Sequence, residues 1–178
     1  MPMKIKIPGF LQELHGEETT VFSIFLVYFT GIALGLFFFF HGPEFQSGLH
    51  RWLLAGIAAD LGGGVVANMT QSTSEYYAKR PKTRWIFIFT HIIHPVLLWI
   101  IFPKMTGILF IGGTTLIFAS IVNAISGLSN QRIVSAALLV FNLMLLLIFN
   151  LDLMALILLA VFSMKLIVGF AVRWTGTK

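Results

Sequence analysis

The chain contains no cysteine, which excludes disulfides, thiolate metal sites and dithiol redox chemistry at once. Charge is scarce as well. Its 7 acidic and 12 basic residues make up 11% of the 178 positions, against about 25% in an ordinary soluble domain. Long polar stretches are also missing, so there is no room for a separate soluble catalytic or nucleotide-binding domain beside the apolar runs. The first twenty residues lack the apolar centre of a secretory signal and a small-residue cleavage site, and the expectation is that nothing is removed from this end.

What is present is apolar. Hydrophobic residues account for 57% of the chain, and the mean hydropathy is +0.91. A helix crossing the hydrocarbon layer needs about 20 mostly apolar residues. Windows of that kind fall at about 20–40, 52–69, 85–102, 107–126, 133–149 and 152–172. The sequence therefore predicts an all-α, polytopic integral membrane protein, a bundle of six transmembrane helices over 20–172. Residues 1–19 form a segment before it and 173–178 a tail after it. In the first segment Phe10, Leu11 and Leu14 fall opposite Gln12, Glu13 and Glu17, the pattern of a short amphipathic helix lying at the membrane interface.

The net charge of +5 has a topological reading. Lys and Arg in short loops stay on the cytoplasmic side. With the N-terminus inside, nine cations fall on the inner side (Lys4, Lys6, Lys79, Arg80, Lys82, Arg84, Arg132, Arg173, Lys178) and two outside (Arg51, Lys104). Both termini are then cytoplasmic, in a plasma or inner membrane. The basic run over 79–84 faces anionic headgroups rather than nucleic acid. His41, Glu44 and His50 fall in the short outer loop, where solvation is the expectation.

Lipid supplies no hydrophobic force between helices, so small residues mark where backbones approach. Gly31 and Gly35 in the first window, Gly56 and Gly64 in the second, and Gly112 and Gly113 in the fourth are read as packing positions within one chain. An oligomer is permitted, but nothing in the sequence points to one. At about 100° per residue, Gly56, Asp60 and Gly64 share one helix face. A carboxylate at mid-membrane costs about 2.5–3.5 kcal/mol, so Asp60 requires a partner.

The third window supplies candidates in His91 and His94, one turn apart and at matching depth. Pro95 follows them, and proline has no N–H to offer the His91 carbonyl, so a kink and a polar pocket are expected there. Asn68, Asn123, Asn142 and Lys165 supply further polar groups and predict one inward-facing cavity, although Lys165 could instead snorkel to the headgroups and the asparagines could serve helix packing. Three functions remain open from these residues. One is a small transporter or channel in which Asp60, His91 and His94 handle a proton, an ion or a small solute. The second is an intramembrane hydrolase with zinc on the same three side chains. The third is a scaffold or accessory subunit with a structural polar core. Histidines adjacent on one helix cannot clamp both faces of a haem, so no haem is expected. The residues carry no family signature.

Overall fold

The computed structural model describes residues 3–43 and 48–174. Glu44 and Lys178, used above for the loop and the topology, lie outside the described residues. The chain is 76% helical. After a short strand β1 (Lys4–Lys6), a 3-10 turn, a single helical turn α1 (Gln12–His15) and strand β2 (Glu18–Thr20) come α2 (Val21–His41), α3 (Gly48–Asn68), α4 (Gln71–Ala78), α5 (Pro81–Thr90), α6 (Ile93–Ile101), α7 (Gly107–Ala124), α8 (Gln131–Leu146) and α9 (Leu153–Ser163). The last helix continues as a π-helical turn over Met164–Phe170.

Four helical stretches among the described residues are long and apolar enough to cross a membrane: Val21–His41, Pro81–Ile101, Gly107–Ala124 and Leu153–Phe170. A fifth is reached if α3 and α4, bent by 82° at Met69–Thr70, are taken as one broken span. Thr70 makes that bend, with its hydroxyl donating back to the Ala67 carbonyl at 2.8 Å and accepting from the Thr73 amide at 3.3 Å. The window at 133–149 yields only the 16-residue α8, about 24 Å at 1.5 Å per residue. Counting apolar windows therefore exceeds the number of helices of spanning length.

The last helix is the hub. Leu158, Leu159, Phe162, Leu166 and Ile167 are fully buried, as a helix apolar all round should be. Helices α3, α7 and α8 surround it. On the periphery, α2 turns Val27, Gly31, Gly35 and Phe38 inward and leaves Phe22, Phe25, Phe29, Ile32, Leu36 and Phe40 exposed, an apolar face compatible with lipid.

Glycines set how closely α2 and α3 approach. A Cβ on Gly31 would stand 2.9 Å from the Ala59 carbonyl, and one on Gly35 would stand 3.1 Å from that of Ala55. Gly62 and Gly63 return the fit against Thr30 and Val27. Gly56 and Gly113 differ from the sequence reading, because a Cβ at either meets nothing within 4 Å. Each faces open space, since the helix face it occupies has no partner there.

Before α2 the short helix expected around Phe10, Leu11 and Leu14 is present as the 3-10 turn Gly9–Leu11 followed by α1, set within a hairpin. Gly16, at φ 75°, ends α1 after one turn, and the chain returns so that β2 pairs antiparallel with β1, Lys4 opposite Thr20. This hairpin sits on α4. Thr73 donates to the Leu14 carbonyl at 2.8 Å, Ser72 donates to that of Glu18, and Glu17 pairs with Lys79 and Arg80, each at 3.1 Å. Backbone groups that a one-turn helix leaves unpaired are satisfied by a neighbouring helix instead of by headgroups.

Two groups here titrate in the same direction. Burial holds the His15 imidazole below its usual range, and the hydrogen bond from Lys79, with that from Arg80, holds Glu17 below the ordinary carboxylate range. For a group whose folded-state value is depressed, the stabilisation is present above its unfolded value and is lost as pH falls. Docking of the hairpin is therefore expected to weaken first below about pH 6.5, as His15 charges, and again below about 4.3, as Glu17 is neutralised. Amide exchange over residues 4–20 should rise in two steps on acidification while α7 stays protected.

Candidate functional site

Asp60 lies just past the middle of α3 on the face it shares with Gly56 and Gly64. Its carboxylate oxygen Oδ2 accepts from Lys165 Nζ at 2.5 Å and from His94 Nε2 at 2.7 Å. The side chain is half exposed at 52%, whereas that of Lys165 is 3% exposed, so a buried ammonium meets a carboxylate at the bundle surface. No hydrogen bond reaches the second oxygen, Oδ1, among the described residues.

Lys165 belongs to the π-helical turn near the C-terminal end of its helix, a local geometry that concentrates at functional sites. Helical side chains lean toward the N-terminus of their own helix. Its stem therefore points back to the middle of the bundle, and Lys165 does not snorkel. Gly64 makes the passage. A Cβ there would collide with Lys165 Cε and lie 2.8 Å from Nζ. Asn68, one turn further along α3, donates to the Lys165 carbonyl at 3.4 Å, one of the carbonyls that the π-turn displaces from α-helical pairing.

The two histidines sit where the helix changes. α5 ends at Thr90 and α6 starts at Ile93, and the His91 carbonyl accepts from the His94 amide at 3.2 Å and from His94 Nδ1 at 3.3 Å. The missing proline N–H thus leaves a carbonyl that His94 takes up. The Pro95 ring fits against α7 because residue 112 is glycine, where a Cβ would run into the ring. His91 Nδ1 donates to the Phe87 carbonyl at 2.6 Å, which leaves Nε2 as the acceptor nitrogen. The imidazoles stack with centroids 5.0 Å apart.

One ligand atom from each of Asp60, His91 and His94 can be chosen so that all three lie within 4.8 Å of one another. His91 suits a divalent cation, since the carbonyl bond at Nδ1 fixes the tautomer and orients Nε2. His94 suits it less, because both of its nitrogens are engaged. The Lys165 ammonium on the same carboxylate oxygen opposes a second positive charge there.

The remaining polar residues form separate groups rather than one cavity. Asn142 is fully buried among Thr114, Thr115 and Ser163, bonding all three at 2.7–2.8 Å. Asn123 accepts from Arg84 Nε at 2.5 Å. Neither asparagine joins Asp60, because each finds its partners on the helices immediately beside it. Arg84 is 3% exposed, and its Nη2 donates to the carbonyls of Phe170 and Ala171, each at 2.8 Å. The basic run over 79–84 predicts a headgroup-facing Arg84, and burial at the end of the last helix replaces that expectation. The one signal that could have found this placement is the end of the last helix, whose final carbonyls need donors.

Two cavities meet Asp60, and among the residues that line them it is the one they share. One, about 360 Å³, runs between α3 and α6 from Leu49 and Trp52 to Asp60 and His94. The other, about 160 Å³, is an open cleft between α2 and α3 that Leu14 of the N-terminal hairpin helps to line. A larger polar recess of about 420 Å³ between β2 and α4 is remote from this chemistry. Compared with family models, curated proteins and solved structures, the chain matches none.

Proposed function

We propose that this is an integral protein of the plasma or inner membrane that crosses it six times, with both termini cytoplasmic, and carries a proton, ion or small solute past Asp60. The shorter α8 and the acid-bearing α3 join the four long apolar helices as spans in this reading, and the nine-to-two division of cations orients them. The native chain has no cysteine, so single cysteines report the orientation directly. Ser74 is buried, whereas Gln71 is exposed. Gln71→Cys should react with an impermeant thiol reagent only from the cytoplasmic side and Gln46→Cys only from outside; the reverse pattern overturns the orientation.

The observation that carries the transport reading is the Asp60 carboxylate. It is held on one oxygen by Lys165 and His94, accepts no hydrogen bond on the other among the described residues, and borders an open cleft on each side of α3. Ionisable groups inside a helical bundle are what a proton or ion pathway requires. Lys165 and His94 both donate to the Asp60 carboxylate, so a proton taken up by Asp60 can come from, or return to, either neighbouring group.

The test is proton flux into liposomes carrying the purified protein and a trapped pH dye, driven by an imposed membrane potential. Wild type should conduct. Asp60→Asn should reduce the rate at least about tenfold, a change of about 1.4 kcal/mol in barrier. Equal rates in the two proteins would sink the transport reading and leave a scaffold with a structural polar core.

The second reading, a zinc-dependent hydrolase, is favoured by the clustering of the three ligand atoms. Elemental analysis separates the two. Stoichiometric zinc in the wild type that is lost in His91→Gln would favour the enzyme.

A further inference from the structure

At the end of the last helix, away from Asp60, every carbonyl from residue 168 to 171 has a donor. Trp174 Nε1 donates to those of Val168 and Gly169 at 3.2 and 3.0 Å, Arg84 to those of Phe170 and Ala171, and Gln131 to that of Ala171 at 2.9 Å. The negative end of the helix is therefore matched by one buried guanidinium. Two more guanidiniums stand beside it. Arg173 is tied in by its amide, which donates to Gln131 Oε1 at 3.1 Å, and Arg132 lies over the Trp174 ring at 5.1 Å. The cross-contacts Gln131 with Arg173 and Arg132 with Trp174 bring the start of α8 and the end of the chain's last helix together.

Neither Arg132 nor Arg173 has an acidic partner among the described residues. The acids there are committed elsewhere: Glu17 to Lys79 and Arg80, Glu75 to Gln71, Asp60 to Lys165 and His94, and Asp152 to the cap of α9. Glu13 and Glu18 belong to the N-terminal hairpin. Arg173 Nε is moreover buried with no hydrogen-bond partner, a state that costs about 1–3 kcal/mol unless something fills it.

We propose that Arg132, which lies over the Trp174 ring, and Arg173, the residue before that tryptophan, bind the phosphate of an anionic phospholipid in the leaflet at that end of the bundle. The chemistry selects the ligand. Guanidinium forks match phosphate oxygens in pairs, an indole at the water boundary anchors beside a headgroup, and basic pockets at the ends of membrane helices take anionic headgroups. A zwitterionic lipid offers the same phosphate with a choline cation that two uncompensated guanidiniums repel. The inference rests on the membrane reading but not on transport.

The experiment is native mass spectrometry of the full chain released from detergent after incubation with an equimolar mixture of phosphatidylglycerol and phosphatidylcholine. The expected result is retention of one phosphatidylglycerol, enriched about tenfold or more over phosphatidylcholine, lost in the Arg132→Gln, Arg173→Gln double variant and reduced but not lost in Arg132→Lys, Arg173→Lys, which keep the charges without the forks. Melting in the same detergent provides the control for folding, because the glutamine variant should still melt cooperatively without lipid and lack the rise that phosphatidylglycerol produces. Inorganic phosphate should give no rise, which identifies the lipid rather than the free anion. Equal retention of both lipids, undiminished retention by the glutamine variant, or an equal rise with inorganic phosphate would overturn the proposal. Proton flux through Asp60 is read separately, so either idea can fail alone.

Discussion

Neutralising both Asp60 and Lys165 is expected to be less damaging than neutralising either one. Asp60→Asn leaves the Lys165 ammonium, 3% exposed, without its 2.5 Å partner. Stranding one member of a fully buried pair costs about 3–5 kcal/mol. Here the carboxylate is half exposed, so about 1–3 kcal/mol is the appropriate expectation, the lower end reflecting solvent or headgroup screening. Lys165→Met should cost no more than that, because it leaves a half-exposed carboxylate held by His94 alone. In Asp60→Asn, Lys165→Met no charge is stranded, and a methionine stem fits the track past Gly64. The double variant should therefore melt above both single variants. Melting of the four proteins in one detergent measures the coupling. Additive losses would show that the two side chains do not share a site. The corresponding cycle of Asp60→Asn with His94→Gln should be non-additive by about 0.5–3 kcal/mol, since both contacts fall on one oxygen.

Arg84→Met is expected to cause the largest loss of stability of any single substitution outside the Asp60 site. The side chain is 3% exposed and donates to Asn123 Oδ1 and to the carbonyls of Phe170 and Ala171. Methionine fills much of the volume but removes every donor. Gln131 still serves Ala171, so two acceptors, Phe170 O and Asn123 Oδ1, are orphaned at about 1–3 kcal/mol each. A loss of about 3–5 kcal/mol follows, and Arg84→Lys should recover only part of it, because a single ammonium cannot reproduce the fork that spans a side chain on α7 and two carbonyls of the last helix. Melting of the purified variants is the measurement. A methionine variant as stable as the wild type would mean that the end of the last helix is held by Gln131 and Trp174 without Arg84.

The composition was enough to determine an all-helical chain rich in apolar helices. A chain with 11% charge and repeated windows of about 20 apolar residues has few other ways to satisfy its backbone. Helical periodicity also placed Asp60 on the Gly56–Gly64 face and the two histidines one turn apart, because those relations are local and follow from 3.6 residues per turn. The break before Pro95 is local in the same sense, since a missing N–H acts on a carbonyl four residues away.

Distant relations were decided only by the tertiary structure. Lys165 is 105 residues from Asp60, and its reach depends on a glycine in another helix and on the lean of side chains toward a helix N-terminus, neither of which a hydropathy window registers. Arg84 reads as a loop cation because its acceptors, 86 and 87 residues further on, exist only where the last helix ends beside it. Asn123 and Asn142 look equivalent to Asn68 in sequence, yet each bonds across a different helix pair, so one expected cavity becomes three separate polar groups. Periodicity specifies which face a side chain occupies. Only the packing of helices decides what that face meets.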